Sequence, residues 1–126
     1  MTKGLIILGK QGSGKSVLAT KLASEFDVNS VSVLDGKQLI EKNYSRNYLV
    51  SHLNRETKVL IIDDVPSSIK WNNLFPLFDK ISIGNTCKDD FQISLTKLIV
   101  VCCESISLQS LPIGASFHRR FEIQQL

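Results

Sequence analysis

The sequence feature that most constrains this chain is GKQGSGKS at residues 9–16, which follows an apolar segment and precedes a helical pattern. Its glycines, Gly9, Gly12 and Gly14, allow the backbone to wrap closely, so that N–H groups and a helix N-terminus can face a polyphosphate. The spacing matches G-x-x-x-x-G-K-[ST], in which the lysine reaches the β- and γ-phosphates and the final hydroxyl binds Mg²⁺. The sequence therefore predicts a phosphate-binding loop between a strand and a helix.

The residues predicted to contact the nucleotide are the loop and the position after it, namely Gly9, Lys10, Gln11, Gly12, Ser13, Gly14, Lys15, Ser16 and Val17. Lys15 is also the first predicted catalytic residue, because its ammonium faces the phosphates. Ser16 is a predicted metal ligand through its hydroxyl. ATP and Mg²⁺ are thus the predicted cofactors.

Length and composition limit what surrounds this loop. The chain of 126 residues, with 43% hydrophobic and 21% charged residues, fits one globular domain spanning residues 1–126. Its longest apolar runs are far shorter than the roughly 20 residues of a membrane helix, and no signal peptide is recognisable, so we expect a cytoplasmic protein without a membrane partner. Three cysteines match no zinc spacing. A net charge of +3 permits a nucleic-acid partner without implying one.

Short apolar runs alternate with helical or polar stretches along the chain. Strands are predicted at residues 3–8, 31–34, 59–62, 97–103 and 121–125, with helices at 15–26, in part of 37–53 and from 67 to 78, and a loop or hairpin at 82–94. Asn43 and Asn47 suggest a break in the second helical stretch. Strands of this kind form a parallel sheet with helices on both faces, which binds ligands beyond the carboxyl ends of its strands.

Two carboxylates end the third predicted strand, Val59-Leu60-Ile61-Ile62-Asp63-Asp64. An acid at this edge can hold the magnesium shell, and its neighbour can deprotonate the attacking water. Asp63 is therefore the predicted metal ligand and Asp64 the predicted catalytic base.

This order of parts resembles the AAA+ ATPases, and most closely the superfamily 3 helicases of viruses and plasmids. The resemblance implies a three-layer α/β/α sandwich with five parallel strands in the order 5-1-4-3-2. It also implies a homo-oligomeric ring with ATP between subunits, and DNA or RNA as a possible partner. Arg119 and Arg120, just before the last strand, resemble the family's basic pair, which implies a catalytic arginine finger.

Two features depart from that family. Its fourth strand usually ends in Asn or Thr, whereas this chain has Glu104 and Ser105. Either could be the sensor, and Glu104 is the candidate catalytic residue, although its carboxylate would be repelled by a phosphate unless magnesium or an arginine intervened. The chain also ends after the fifth strand, so the expected fold has no C-terminal helical lid.

Several alternatives remain open from the residues. Leu34-Asp35-Gly36 resembles small-molecule P-loop kinases, in which the acid orients an acceptor hydroxyl, and a nucleotide-binding scaffold with little turnover is a third possibility. Two arginines before a strand are also typical of a solvated surface. The segment 82–95, with Lys80 before it and Lys88 within it, could contact nucleic acid or form a solvated loop. His52 and His118 are expected to be structural or surface residues.

Overall fold

Seven strands and four α-helices follow one another in the part of the chain that a computed structural model describes, residues 1–83 and 91–126. The strands are β1 (Lys3–Leu8), β2 (Val31–Asp35), β3 (Val59–Val65), β4 (Ile81–Ile83), β5 (Phe91–Ile93), β6 (Lys97–Cys102) and β7 (Phe121–Gln125). The helices are α1 (Lys15–Ala23), α2 (Gly36–Glu41), α3 (Arg46–Ser51) and α4 (Ala115–Arg120), with 3₁₀ helices at Val28–Ser30, Trp71–Phe78 and Leu108–Ser110. No helix in these two ranges has the length and apolar character to cross a membrane.

Five strands form one parallel sheet in the order β2-β3-β6-β1-β7. By strand number the order is 2-3-6-1-7, which is not the predicted 5-1-4-3-2. The numbers differ because two strands that the prediction did not count lie between β3 and β6 in the chain, so the predicted fourth and fifth strands are β6 and β7. The two uncounted strands are β4 and β5, which pair antiparallel as a separate hairpin. The predicted parallel α/β sheet is confirmed, as is the hairpin.

Both faces of the sheet are buried, which the near-continuous apolar strands lead one to expect. On one face, α1 contributes Ala19 and Ala23 to a cluster with Ile7, Ile61 and Ile99. On the other face, a larger cluster joins the sheet to α2, α4 and the 3₁₀ helix Trp71–Phe78. Each fully buried Val, Leu or Ile side chain stabilises the fold by about 1.5–3 kcal/mol relative to an exposed one.

Helix boundaries differ from the sequence prediction in three places. α1 ends at Ala23 rather than at residue 26. The stretch 37–53 divides into α2 and α3 because Asn43 and Tyr44 adopt left-handed conformations, with φ of 53° and 57°, whereas Asn47 lies inside α3. The helix expected from residue 67 is a 3₁₀ helix that begins at Trp71 and contains Pro76, whose missing N–H disfavours a regular α-helix.

An aromatic cluster fixes α4, a helix that the sequence did not predict. The Phe117 ring lies edge-on to Trp71 at 5.5 Å between centroids, and Phe121 contacts Trp71 at 6.0 Å and Phe78 at 5.1 Å. Edge-to-face contacts of this kind contribute about 0.5–1.5 kcal/mol each beyond their buried area. Packing of Phe117 therefore holds Arg119 and Arg120 on the last turn of a helix.

A β-bulge interrupts β3 where its two carboxylates occur. The pairing register with β6 shifts between Ile62 and Val65, and Asp64 has a φ of 53°. Ile62 and Val65 both point into the same core cluster, although residues three apart in a regular strand face opposite sides. The extra residue thus returns Val65 to the core and leaves Asp63 and Asp64 at the edge of the sheet.

Gly36 is the residue that packs beneath this bulge. A Cβ on Gly36 would lie 2.7 Å from Val65 Cα and 2.9 Å from the Asp63 carbonyl oxygen. Both neighbours are backbone atoms of β3, so they cannot rotate away as the end of a side chain could. The close approach of α2 to β3 therefore requires glycine here.

We expect Gly36→Ala to lower the free energy of unfolding by about 1–3 kcal/mol, because the added methyl group must displace the bulge. Chemical denaturation followed by circular dichroism measures this change. Gly114→Ala is the matched control, since nothing lies within 4 Å of a Cβ at that position. Equal stability of the two variants would contradict the tight fit of Gly36.

Candidate functional site

The glycine-rich loop leaves β1 at Leu8 and enters α1 at Lys15. Gly12 and Gly14 have φ values of 81° and 91°, a left-handed region in which glycine is unstrained. Gly14 precedes α1 and has no side chain to cap it, so the first-turn N–H groups of the helix remain available to a ligand. The loop thus has the backbone form that the sequence predicted for an anion-binding turn.

The Lys15 side chain folds back across this loop. Its ammonium donates hydrogen bonds to the carbonyl oxygens of Gly9 at 2.8 Å and Lys10 at 3.0 Å. An ammonium group has three donors, so one remains for a further acceptor. Lys15 is therefore held at the loop by two backbone contacts with one donor to spare.

A cleft of about 1020 Å³ opens beside the loop, at the carboxyl edge of the sheet. Six of the nine predicted nucleotide-contacting residues line it, namely Gln11, Gly12, Gly14, Lys15, Ser16 and Val17. The other three, Gly9, Lys10 and Ser13, lie in the loop without lining the cleft. The opposite wall is formed by Asp63 and Asp64 of β3, Lys37 of α2, and the end of β6 with the residues after it, Val101, Cys102, Cys103, Glu104 and Ser105.

Ser16 and Asp63 meet inside this cleft. The Ser16 hydroxyl donates to Asp63 Oδ1 at 3.1 Å, which joins the start of α1 to the end of β3. A hydroxyl and a carboxylate oxygen at this separation are the hard oxygen ligands that Mg²⁺ accepts, together with waters and phosphate oxygens. The described residues contain no cluster of three or more His, Cys, Asp and Glu suited to a metal. The donor set therefore fits a cation shared between protein and phosphate.

Asp64 makes an ion pair that the sequence reading missed. Lys37 Nζ lies 3.1 Å from Asp64 Oδ2, and the hydrogen bond with Asp64 raises the pKa of Lys37 above its ordinary value, so Lys37 stays an ammonium group. Asp35 accepts a hydrogen bond from the Lys37 backbone N–H at 2.9 Å as the N-cap of α2. The cap sequence Asp35-Gly36-Lys37 was the available signal, because it fixes a lysine beside the carboxyl edge of the sheet.

The end of β6 brings Glu104 to the loop. Its Oε2 accepts a hydrogen bond from the Gln11 backbone N–H at 3.3 Å, and Ser105 lies beside it, 3.0 Å from the Cys103 sulfur. Glu104 and Ser105 are thus both in the cleft, where the sensor was expected. Beneath them, burial raises the pKa of the Cys102 thiol to about 12, so Cys102 is an unreactive part of the cleft floor.

Arg119 and Arg120 do not reach this cleft. β7 begins beside Gly4 and ends beside Leu8, so the arginines lie at the opposite end of the strands, about 13 Å along the sheet from the loop. The Arg120 guanidinium lies 4.5 Å from the centre of the Phe75 ring and donates to the Ser116 carbonyl oxygen at 2.9 Å. Arg119 is exposed on the same helix.

The remaining predicted residues lie outside the site. His52 contacts the Tyr48 ring and Ser51 at the surface of α3, and His118 packs against Phe117 on α4. Lys80 is exposed next to β4, and Lys88 lies outside the described residues.

The sequence profile of the RNA helicase family matches residues 5–102, which include the loop, both carboxylates and Lys37 but not Glu104 or the arginines. No curated protein matches the chain in sequence.

Two solved structures of the NrS-1 C-terminal region, both in the A form without ligand, have a similar fold. Their TM-scores are 0.60 and 0.57 at 21% and 17% identity, over 98% of this chain and 28% of theirs. This chain therefore spans little more than a quarter of the length of those relatives. At such identities the likeness shows the fold alone. The family profile covers most of the chain, and on that ground the protein belongs to the RNA helicase family as a P-loop NTPase domain of the superfamily 3 helicase type.

Proposed function

We propose that this domain binds ATP with Mg²⁺ in the cleft and hydrolyses it, and that a neighbouring subunit completes the site. The observation that carries the proposal is the contact between Ser16 and Asp63 at 3.1 Å, in a cleft that also contains Lys15 and Asp64. Membership of a helicase-type P-loop family implies nucleotide binding in general. Our proposal adds three points to general nucleotide binding: the nucleotide is ATP, the metal is Mg²⁺, and the ATP is hydrolysed.

Charge supports a metal-bound nucleotide. The cleft has two ammonium groups, Lys15 and Lys37, against three carboxylates, Asp63, Asp64 and Glu104. A triphosphate adds several more negative charges, which a site of this composition does not offset alone. Ser16 and Asp63 are the residues that would hold the cation. Magnesium held there would supply positive charge to offset the charge that develops on the phosphate.

The chain's own groups divide the remaining work. Lys15 uses its third donor on the β- and γ-phosphates, while the loop N–H groups orient the polyphosphate. Asp64 accepts a proton from the water that attacks the γ-phosphate. Glu104, whose carboxylate accepts a hydrogen bond from the Gln11 N–H, orients that water from the position of the family's sensor.

The arginine finger comes from another subunit in this proposal. Because the arginines and the cleft lie at opposite ends of β7 and β1, neither arginine can serve the cleft of its own subunit without a large displacement. Arg120 is engaged by Phe75 and Ser116, whereas Arg119 is exposed. We therefore assign the finger to Arg119 and a packing role to Arg120.

The kinase alternative loses its main support at Asp35. That carboxylate caps α2 through the Lys37 N–H, so it is engaged in local structure rather than directed at an acceptor hydroxyl. A nucleotide-binding scaffold would bind ATP in the same way but hydrolyse little of it. Measurement of phosphate release by the wild type distinguishes the two. DNA or RNA remains the proposed partner of the ring, on the basis of the helicase family.

We expect Asp64→Asn to bind ATP with Mg²⁺ as the wild type does but to turn over about 10²–10⁴ times more slowly, because the amide cannot accept the proton. Lys15→Ala should bind the nucleotide weakly. Fluorescent-nucleotide titration measures binding, and phosphate release measures turnover. Asp79→Asn is the control, since Asp79 is exposed and lies outside the cleft. Undiminished turnover in Asp64→Asn would exclude Asp64 as the base.

We expect the specific rate to rise with protein concentration, because the finger acts between subunits. Arg119→Ala should lower kcat by about a thousandfold, as loss of an arginine finger does. Arg120→Ala should instead lower the unfolding temperature through loss of the Phe75 contact.

Mixing tests the shared site directly. Subunits with Arg119→Ala keep Lys15, and subunits with Lys15→Ala keep Arg119, so a mixture contains interfaces at which both residues are intact. Turnover above the sum of the separate proteins supports sharing. A rate that is independent of concentration, with no gain on mixing, argues against it.

A further inference from the structure

Among the charged side chains that line the cleft in the described residues, Lys37 is the one that the proposed reaction leaves without a role. Its ammonium lies 3.1 Å from Asp64 Oδ2, and it lines the same cleft as Lys15, Ser16 and Asp63. Within residues 1–83 and 91–126, no other cation is paired with Asp64. The question is whether this ion pair stabilises the fold or directs the chemistry.

Stability is a poor explanation for the pair. Both side chains are more than half exposed, at 61% for Lys37 and 55% for Asp64. Exposed ion pairs contribute little to stability, because water screens the attraction and two long side chains lose freedom. A surface contact of this strength would not by itself require special backbone geometry.

The backbone on both sides of the pair is nonetheless tightly constrained. Asp64 has a left-handed φ of 53° at the β3 bulge, a conformation that is uncommon for a non-glycine residue. On the other side, Asp35 caps the N–H of Lys37, and Gly36 fits against Val65 and the Asp63 carbonyl without space for a methyl group. Unusual backbone conformations that the surrounding structure maintains are typical of functional sites.

These constraints give the two carboxylates different neighbours. Asp63 Oδ1 accepts from Ser16 on the α1 side, and Asp64 Oδ2 meets Lys37 on the α2 side. With Oδ2 engaged, Asp64 Oδ1 is the oxygen left for another donor. Asp63 is thus the carboxylate beside Ser16, where we propose the metal, and Asp64 is the carboxylate that contacts Lys37.

We propose that Lys37 is a positioning residue for hydrolysis, which holds Asp64 Oδ2 so that Oδ1 faces the attacking water. Lys37 contacts neither the nucleotide nor the water and acts only through Asp64. The inference rests on the proposed function, since it takes Asp64 as the base. It adds a residue of α2 to the site, and it explains why Asp35, Gly36 and the bulge occur together.

The test compares Lys37→Met, Lys37→Arg and the control Lys42→Met. Lys42 is an exposed lysine at the C-terminal end of α2, outside the cleft. We expect Lys37→Met to lower kcat about ten- to a hundredfold, in the range typical of residues that orient a catalytic ligand, with unchanged nucleotide affinity. Lys37→Arg should restore most of the rate, because a guanidinium can also hold a carboxylate oxygen. Lys42→Met should match the wild type.

A double-mutant cycle separates an action through Asp64 from a direct one. In the Asp64→Asn background, Lys37→Met should cause no further loss of rate. Single-turnover hydrolysis of γ-labelled ATP, with protein in excess, resolves the residual rates that this comparison needs.

Four results would overturn the role of Lys37 while leaving the proposed ATPase intact. In the first, Lys37→Met turns over ATP at the wild-type rate, and in the second it does so faster than the wild type. In the third, Lys37→Met binds the nucleotide more weakly. In the fourth, Lys37→Met lowers the rate by the same factor in the Asp64→Asn background as in the wild type. The second would make the ion pair a restraint on the base, and the third would make Lys37 a phosphate contact. If the wild type itself shows no hydrolysis, the proposed function fails and the role of Lys37 with it. If Asp64→Asn is fully active, Asp64 is not the base, and the role of Lys37 fails while the proposed hydrolysis stands.

Discussion

The bulge at the end of β3 is the constraint on which the site depends. A regular strand would direct Val65 away from the core cluster that Ile62 enters, because side chains alternate between faces. The inserted residue removes this conflict, so the core closes around Val65 while Asp63 and Asp64 project at the carboxyl edge. Burial of one valine thus fixes the positions of two carboxylates. The left-handed conformation of Asp64 is the local cost of that arrangement.

The elements on both sides of the bulge, β6 and α2, pack closely against it. β6 follows it through a hydrogen bond from the Cys103 N–H to the Val65 carbonyl oxygen at 2.9 Å, which brings Glu104 towards the loop. α2 approaches it through Gly36, and the same approach brings Lys37 to Asp64. The walls of the cleft therefore come from three elements whose positions depend on one irregularity in a central strand.

Features with a strict local pattern could be predicted from the sequence. The loop glycines, the apolar strands and the acid pair each obey a short-range rule of spacing or alternation, and together they indicated the parallel sheet and the edge that bears the cleft. The contact between Ser16 and Asp63 follows from that topology, because the loop after β1 and the end of β3 lie at the same edge.

Features that arise from packing could not be predicted in the same way. α4 has only six residues, and its position depends on contacts of Phe117 with Trp71, 46 residues earlier in the chain. The strand count differed because β4 and β5 have three residues each, too few for a clear alternation. The cap sequence Asp35-Gly36-Lys37 indicates a lysine near the carboxyl edge of the sheet, but not its ion pair with Asp64. That pairing depends on the bulge, the cap and the glycine together.

The separation of arginine and cleft restricts how subunits can assemble. A shared site needs the end of the sheet that bears Arg119 to meet the cleft end of another copy, and these are two different surfaces of one chain. An isologous pair joins the same surface of both subunits, whereas contact between different surfaces propagates head to tail, into a ring where the rotation closes and into a filament where it does not. If Arg119 acts between subunits, the assembly is therefore heterologous, and each subunit gives a cation to one neighbour while receiving one from the other. A cation donated in this way would enter a cleft in which three carboxylates face two lysines, one of which, Lys37, is already paired with Asp64.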